Sequence, residues 1–239
     1  MQETRYAIVN GEKIPVLISD ENEALLAAKA AGRAIVGLWR EDAQGDEWCV
    51  ADTLIADMEV ADERFLERIA RRRLGLPWDI CETERLTIRE IAERDYEEIV
   101  KNRVDESLDT VENVADYTKR HYEVFEFGFW TVEEKKSGSL VGVVGFRIPQ
   151  DDGIRGVDYY VLSLSDKNSW NDTLEIGYHI FPEYRRKGYA SEACRAVIEY
   201  AREEFGIIRF IARIEKENIV SKKMAESLGF VKAEEDPFD

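Results

Sequence analysis

The chain has 239 residues, 44% hydrophobic and 35% charged, with 50 acidic against 33 basic side chains and a net charge of −17. This is the composition of a soluble globular protein with room for one large core or two small ones, and not of a disordered chain. The negative balance speaks against nonspecific binding to nucleic acid or an anionic membrane and favours a cationic partner, because like charges repel over a Debye length.

No apolar run approaches the roughly 18 residues that a membrane span needs. The opening MQETRYAIVNGEK lacks the charged-then-apolar layout of a secretion signal, so a cytoplasmic location is expected. Cys49, Cys81 and Cys194 are widely spaced without a C-x-x-C, and His121 and His179 lie in separate segments. Neither a disulfide framework nor a metal site is expected from them.

RYAIV and KIPVLIS read as strands joined through Asn10-Gly11, a strong hairpin dipeptide. ENEALLAAKAAG reads as a helix with Gly32 at its left-handed end, AIVGLW as a buried strand, DTLIAD as a short one, and Asp62 to Arg73 as a helix led by acids and trailed by arginines. Strand, helix, strand implies a small α/β layer of βαβ type. The seam LGLPWDIC, from Leu74 to Cys81, separates a module at 1–78 from a domain at 79–239.

The stretch PVLISDENEALLAAKAAGRAIVGLW, followed by ADTLIADM, resembles part of the haloacid dehalogenase-like core. The D-x-D nucleophile of that family appears nowhere in the chain, leaving Asp20 without its partner. The resemblance therefore implies a non-catalytic fragment, a structural or interaction module.

In the second part, LTIREI is a strand and residues 94–103 a helix, with helical spacing again between Val104 and Phe127. FWTVEE and LVGVVGFRI pair across KKSGS, and VDYYVLSL with TLEIGYHI reads as a further hairpin. A helix that buries Ala190, Ala193, Cys194, Val197 and Ala201 and ends with Gly206 past its last turn, the strand IIRFIARI and a last helix ending at Gly229 complete the order. Helices, an antiparallel meander and a βαβ crossover make an α+β fold with a mixed, mostly antiparallel sheet flanked by helices.

Between the strand EIGYHI and that helix lies Arg185-Arg186-Lys187-Gly188. A helix start leaves several N–H groups without intrahelical partners and carries the positive end of the dipole, so it welcomes a phosphate. Gly188 permits close approach to the backbone and the three cations add charge, which points to a phosphorylated ligand.

R-R-K-G-Y-A after E-I-G-Y-H-I-F-P-E-Y, N-I-V-S-K-K-M-A-E-S-L-G-F downstream and T-E-R-L-T-I-R-E at the entry resemble the GCN5-related N-acetyltransferase (GNAT) family. The subgroup most resembled acetylates the N-termini of ribosomal proteins. The resemblance covers residues 82–239 and implies acetyl-CoA as donor, without a metal. It further implies that the amides of Arg186, Lys187, Gly188, Tyr189 and Ala190 hold the pyrophosphate with Arg185 beside them. By the same resemblance Ile180 and Phe181 pair with the pantetheine arm, and Asn218 and Ser221 touch the arm or the sulfur region.

Attack of a neutral amine on a thioester needs a proton acceptor, a donor for the developing oxyanion, and a proton source or shelter for the thiolate. An amide near Ile180 suits the oxyanion. Glu175 is the first choice for proton removal, with a role in orienting backbone or substrate standing beside it. Family members often place a Tyr in the last helix as acid, where this chain has Met224 and Ala225. Ser221 or solvent then takes that part, and buried Cys194 is not required as a nucleophile. Tyr159, Tyr160 and Trp170 are candidates for an acceptor wall, and core packing or a dimer contact explains these aromatics as well. The expected function is acetyl transfer to a primary amine on a protein N-terminus, peptide or small molecule. The alternative is a non-catalytic acetyl-CoA-binding or protein-interaction module, and a homodimer is left open.

Overall fold

The computed structural model describes residues 1–39, 49–150, 155–165 and 172–234. The chain divides into two compact units, one made of Met1–Trp78 with Asp116–Glu126, the other of Asp79–Ala115 with Phe127–Asp239.

In the first unit β1 (Gln2–Val9) and β2 (Glu12–Ser19) form an antiparallel pair. Asn10 and Gly11, at φ 52° and 82°, make the turn between them, as a tight hairpin requires. Helix α1 (Asn22–Ala30) crosses over to β3 (Ala34–Leu38), parallel to β2, and β4 (Leu54–Ile55) extends the sheet in the order β1-β2-β3-β4. Gly32, at φ 75°, ends α1 as its sequence position predicts. Helix α2 (Glu63–Arg73) starts at Asp62, whose Oδ1 accepts from the Phe65 N–H at 2.8 Å. Its Phe65, Leu66, Ile69 and Ala70 pack on Val16, Ile18 and Val36. Leu17, pointing the other way, packs with Leu25 and Ala28 of α1. Both faces of β2 are covered, which explains its unbroken apolar run.

The second unit opens with β5 (Asp79–Glu82), antiparallel to β6 (Leu86–Arg89). The seam read from the sequence is thus shorter than expected: its last residues pair into a strand after the Pro77 turn. Helix α3 (Tyr96–Lys101) follows; α4 (Val111–Phe125) comes next in the chain, its residues from Asp116 on counting with the first unit; then come β7 (Phe129–Glu134), β8 (Ser139–Arg147), β9 (Val157–Ser163) and β10 (Thr173–Ile180). The chain ends through α5 (Tyr189–Phe205), β11 (Arg209–Glu215), α6 (Ile219–Ser227) and β12 (Val231–Lys232). The eight-stranded sheet has the order β12-β9-β11-β10-β8-β7-β6-β5. Every neighbouring pair is antiparallel except β10 and β11, which the α5 crossover makes parallel. This is the α+β architecture expected from the sequence, preceded by a small α/β module.

One expected pairing is wrong. VDYYVLSL and TLEIGYHI are not a hairpin: β10 has β8 on one edge and β11 on the other, so β9 pairs with β11 and β12 instead. The short C-terminal strand β12 therefore lies beside β9, a segment from between β8 and β10.

Candidate active site

The site is built where β10 ends. A single 3-10 turn, Pro182–Tyr184, leads to Arg185, which is extended, then to Arg186 at φ 61° and Gly188 at φ 83°. Left-handed backbone at Arg186 is uncommon for a residue with a side chain, and at Gly188 it is the reason glycine stands there. The first intrahelical bond of α5 runs from the Glu192 N–H to the Gly188 carbonyl at 3.1 Å, so the N–H groups of residues 189–191 have no partner within the helix. Arg185, Arg186, Lys187 and Gly188 are all exposed. The Arg185 Nε turns back to donate to the Ile180 carbonyl at 2.9 Å, and the Lys187 Nζ lies 4.9 Å from the Tyr184 ring centroid.

Tyr189 is placed differently from its exposed neighbours. Its ring is buried and its hydroxyl hydrogen-bonds the Glu134 carboxylate, so only its backbone faces the turn. Ala190 is half-buried. Ile180 and Phe181 are core side chains and also offer only backbone to a ligand.

That backbone has an open edge. The register of β10 with β11 stops at Glu175 with Ile211, while β11 continues alongside β9 through Glu215 and β10 continues alongside β8 to Ile180. The two strands separate beyond Glu175. The Phe181 N–H bonds the Val141 carbonyl at 3.0 Å, so Phe181 faces β8; alternation turns the peptide groups of Tyr178 and Ile180 toward the gap. Gly142 makes this close: a Cβ there would stand 2.5 Å from the His179 carbonyl oxygen and 2.9 Å from the Ile180 Cα.

A cleft of about 380 Å³ fills the gap, lined among others by Glu175, Tyr178, His179, Arg213, Asn218 and Ser221. Of the residues predicted from sequence it gathers Glu175, Asn218 and Ser221; residues 185–190 lie outside its lining. Glu175 is 2% exposed. Its Oε1 accepts from Arg147 Nε at 2.9 Å and Nη2 at 2.6 Å and stands 3.4 Å from Arg213 Nε. Four positions on and on the same face of β10, beyond side-chain-free Gly177, is His179. Its Nε2 is buried with no hydrogen-bond partner among the described residues. Burial, and then the charge of Arg185, hold its imidazole below the usual 6.5, so it is neutral at pH 7.

On the opposite face, Tyr178 hydrogen-bonds Ser221, and burial pushes its phenol up to about 12. Asn218 caps α6 as expected, its Oδ1 accepting from the Ser221 N–H at 3.1 Å. Cys194 is fully buried in α5 and its thiol is pushed up to about 12, an inert environment for a thiol. Tyr160, expected in an acceptor wall, is buried, Tyr159 is half-buried, and Trp170 lies outside the described residues. Among the described residues no group of three or more His, Cys, Asp or Glu side chains could hold a metal ion.

Tyr178 and His179 were both in view in the sequence, but alternation tells only which face each takes. What surrounds them, the cleft that both line and the Ser221 that Tyr178 meets, is set by the divergence of β10 from β11.

The acetyltransferase (GNAT) domain model matches residues 85–231. The chain belongs to this family, and its activity is of the acetyl-CoA-dependent transferase kind. It is 26% identical over 165 residues to the uncharacterized N-acetyltransferase YoaA of Bacillus subtilis (strain 168), covering 64% of this chain and 83% of YoaA. It is 31% identical over 105 residues to the uncharacterized N-acetyltransferase YjdG of the same organism, covering 44% of this chain and 52% of YjdG. A solved GnaT-family structure from Bordetella pertussis superposes with a TM-score of 0.50 at 20% identity over 66% of this chain and 92% of that one, a likeness of fold.

Proposed function

We propose that the chain transfers the acetyl group of acetyl-CoA to a primary amine by direct attack. The observation that carries this reading is the open edge of β10 beyond Glu175, running straight into a glycine-containing turn at a helix N-terminus. The amides of residues 186–190 suit a diphosphate, and the peptide groups of Tyr178 and Ile180 suit the amide-bearing arm. Acetyl-CoA supplies the activated thioester. The Ile180 N–H is the donor for the carbonyl oxygen as it gains charge.

The amine enters from the face holding Glu175 and His179. Of the two, His179 is the better proton acceptor: its imidazole is neutral and Nε2 has no partner, whereas Glu175 Oε1 is engaged by Arg147. Glu175 then orients Arg147 and Arg213 at the cleft. Ser221, hydrogen-bonded to Tyr178, shelters the departing thiolate, which takes its proton from solvent as His179 returns to solvent the one it took from the amine.

The acceptor is a cationic amine, suited to a chain of net charge −17, and N-termini of ribosomal proteins are the class to try first. The first unit, with its haloacid dehalogenase-like fragment, acts as a structural or interaction module. Asp20, its one candidate acid, is paired with the N-terminal amino group. Magnesium-dependent phosphate release abolished by Asp20→Asn would contradict that assignment.

The test is free-thiol release from acetyl-CoA with a panel of ribosomal N-terminal peptides, polyamines and small amines. Turnover with at least one of them is expected, and none with any would leave only the binding-module reading. Gly188→Val in the same assay places a β-branched residue at φ 83°, with Cβ 3.3 Å from Arg85 Nη2. A rise in KM for acetyl-CoA of about tenfold or more is expected from the strained backbone. An unchanged KM would remove the turn from the site.

A further inference from the structure

We propose that Arg85 is a positioning residue for the diphosphate turn, a latch that aims the Gly188 N–H and cancels the carboxylate in the first turn of α5. The inference rests on the coenzyme reading above. Arg85 stands in the turn between β5 and β6, about a hundred residues before the segment it holds, and no phosphate-turn pattern includes it.

Its guanidinium is fully committed to that segment. Nε and Nη2 reach Glu192 Oε2 at 2.7 and 2.5 Å, and Nη1 donates to the Lys187 carbonyl at 2.9 Å. The guanidinium carbon lies 4.8 Å from the centroid of the Tyr189 ring. Glu192 is bracketed further: its Oε1 accepts from the Arg85 N–H at 3.0 Å and from the Thr83 hydroxyl at 2.6 Å.

Two consequences follow for a bound diphosphate. In a trans peptide the carbonyl and the next N–H point in opposite directions. Pinning the Lys187 carbonyl toward Arg85 therefore fixes the Gly188 N–H on the other side of the turn, at a residue whose flexibility would otherwise leave it free. The second consequence is electrostatic. Glu192 lies in the first turn of α5, where a bare carboxylate would repel an anionic ligand and offset the helix dipole. Arg85 cancels that charge from outside the turn and leaves the ligand side open.

Stability alone does not account for the arrangement. The Arg85 side chain is 44% exposed, and an ion pair this open adds little to the fold. What a planar fork does well is hold two acceptors, a carboxylate and a carbonyl, in one fixed geometry.

The experiment uses the whole chain with ADP, which carries a diphosphate without the arm, alongside acetyl-CoA. Binding is measured by calorimetry and turnover by thiol release. Arg85→Ala is expected to weaken ADP binding and raise KM for acetyl-CoA by about tenfold, the scale of one lost charge-assisted contact, with kcat and the acceptor KM within about twofold. Arg85→Lys, which keeps the charge but not the fork, should fall between the wild type and Arg85→Ala. Glu192→Gln should leave ADP affinity unchanged or tighter. Equal ADP affinity in wild type and Arg85→Ala would overturn the proposal, as would a parallel loss of kcat, acceptor KM and melting temperature. A wild-type chain that binds neither ADP nor acetyl-CoA would instead overturn the coenzyme reading itself.

Discussion

His179 and Glu175 share one face of one strand, yet their surroundings assign them different work. Burial keeps His179 neutral at pH 7 and leaves its Nε2 unpartnered, while Glu175 is held by Arg147 and Arg213. His179→Gln is expected to lower kcat by about a hundredfold, the usual scale for losing a positioned base. It should also abolish the acid limb of the kcat/KM profile, which falls below pH 6.5 because the His179 pKa is lowered. Glu175→Gln removes one buried counter-charge facing Arg147 and Arg213, so its damage should appear in melting temperature while that acid limb persists. An acid limb that survives in His179→Gln and vanishes in Glu175→Gln would reverse the two roles. Gly188 and the cap Asn218 were readable from residue type alone, because glycine before a helix and asparagine at its start each have one dominant use. Arg85 was not, since its partners Lys187 and Glu192 are more than a hundred positions away and charge alone does not say which carboxylate a guanidinium meets.

At the level of elements, a buried ion pair ties β6 to the segment after it. Arg89 and Asp95 are each 4% exposed and form a two-pronged pair at 2.6 and 2.9 Å, with Glu133 of β7 at 2.9 Å and the Ala92 N–H on Asp95 Oδ2 at 2.7 Å. Removing Asp95 leaves Arg89 with Glu133 alone and the Ala92 amide bare, so Asp95→Ala should cost about 1–3 kcal/mol by denaturant unfolding. A loss under about 1 kcal/mol would mean that the pair is solvated in solution. The helices and most strands were legible because their apolar spacing and end residues agree, as in α1 with Gly32 and α5 with Gly206. The partner of β9 was not legible. Its alternation marks it as a strand, but the pairing depends on which edge remains free once α5 has delivered β11 beside β10, and local sequence carries no trace of that.

Over the whole molecule, both histidines are buried enough to be held below the usual 6.5, His121 by burial alone and His179 by burial and then Arg185. A depressed histidine pKa means that the unfolded chain takes up protons first. Their contribution to stability is complete above pH 6.5 and is lost as the pH falls toward their folded values. The melting temperature should therefore decline below pH 6.5, and His121→Gln with His179→Gln should flatten that decline; an equally steep decline in the double variant would assign it to carboxylates. The charge balance was legible from composition and bears on the acceptor, while no helix among the described residues is long and apolar enough to cross a membrane. The most direct measurement of the central claim is a crystal structure of the protein with acetyl-CoA. The diphosphate is expected within hydrogen-bond distance of the N–H groups of residues 186–190, with the arm along Tyr178 and Ile180. A coenzyme bound elsewhere, with this turn and strand edge untouched, would contradict that claim.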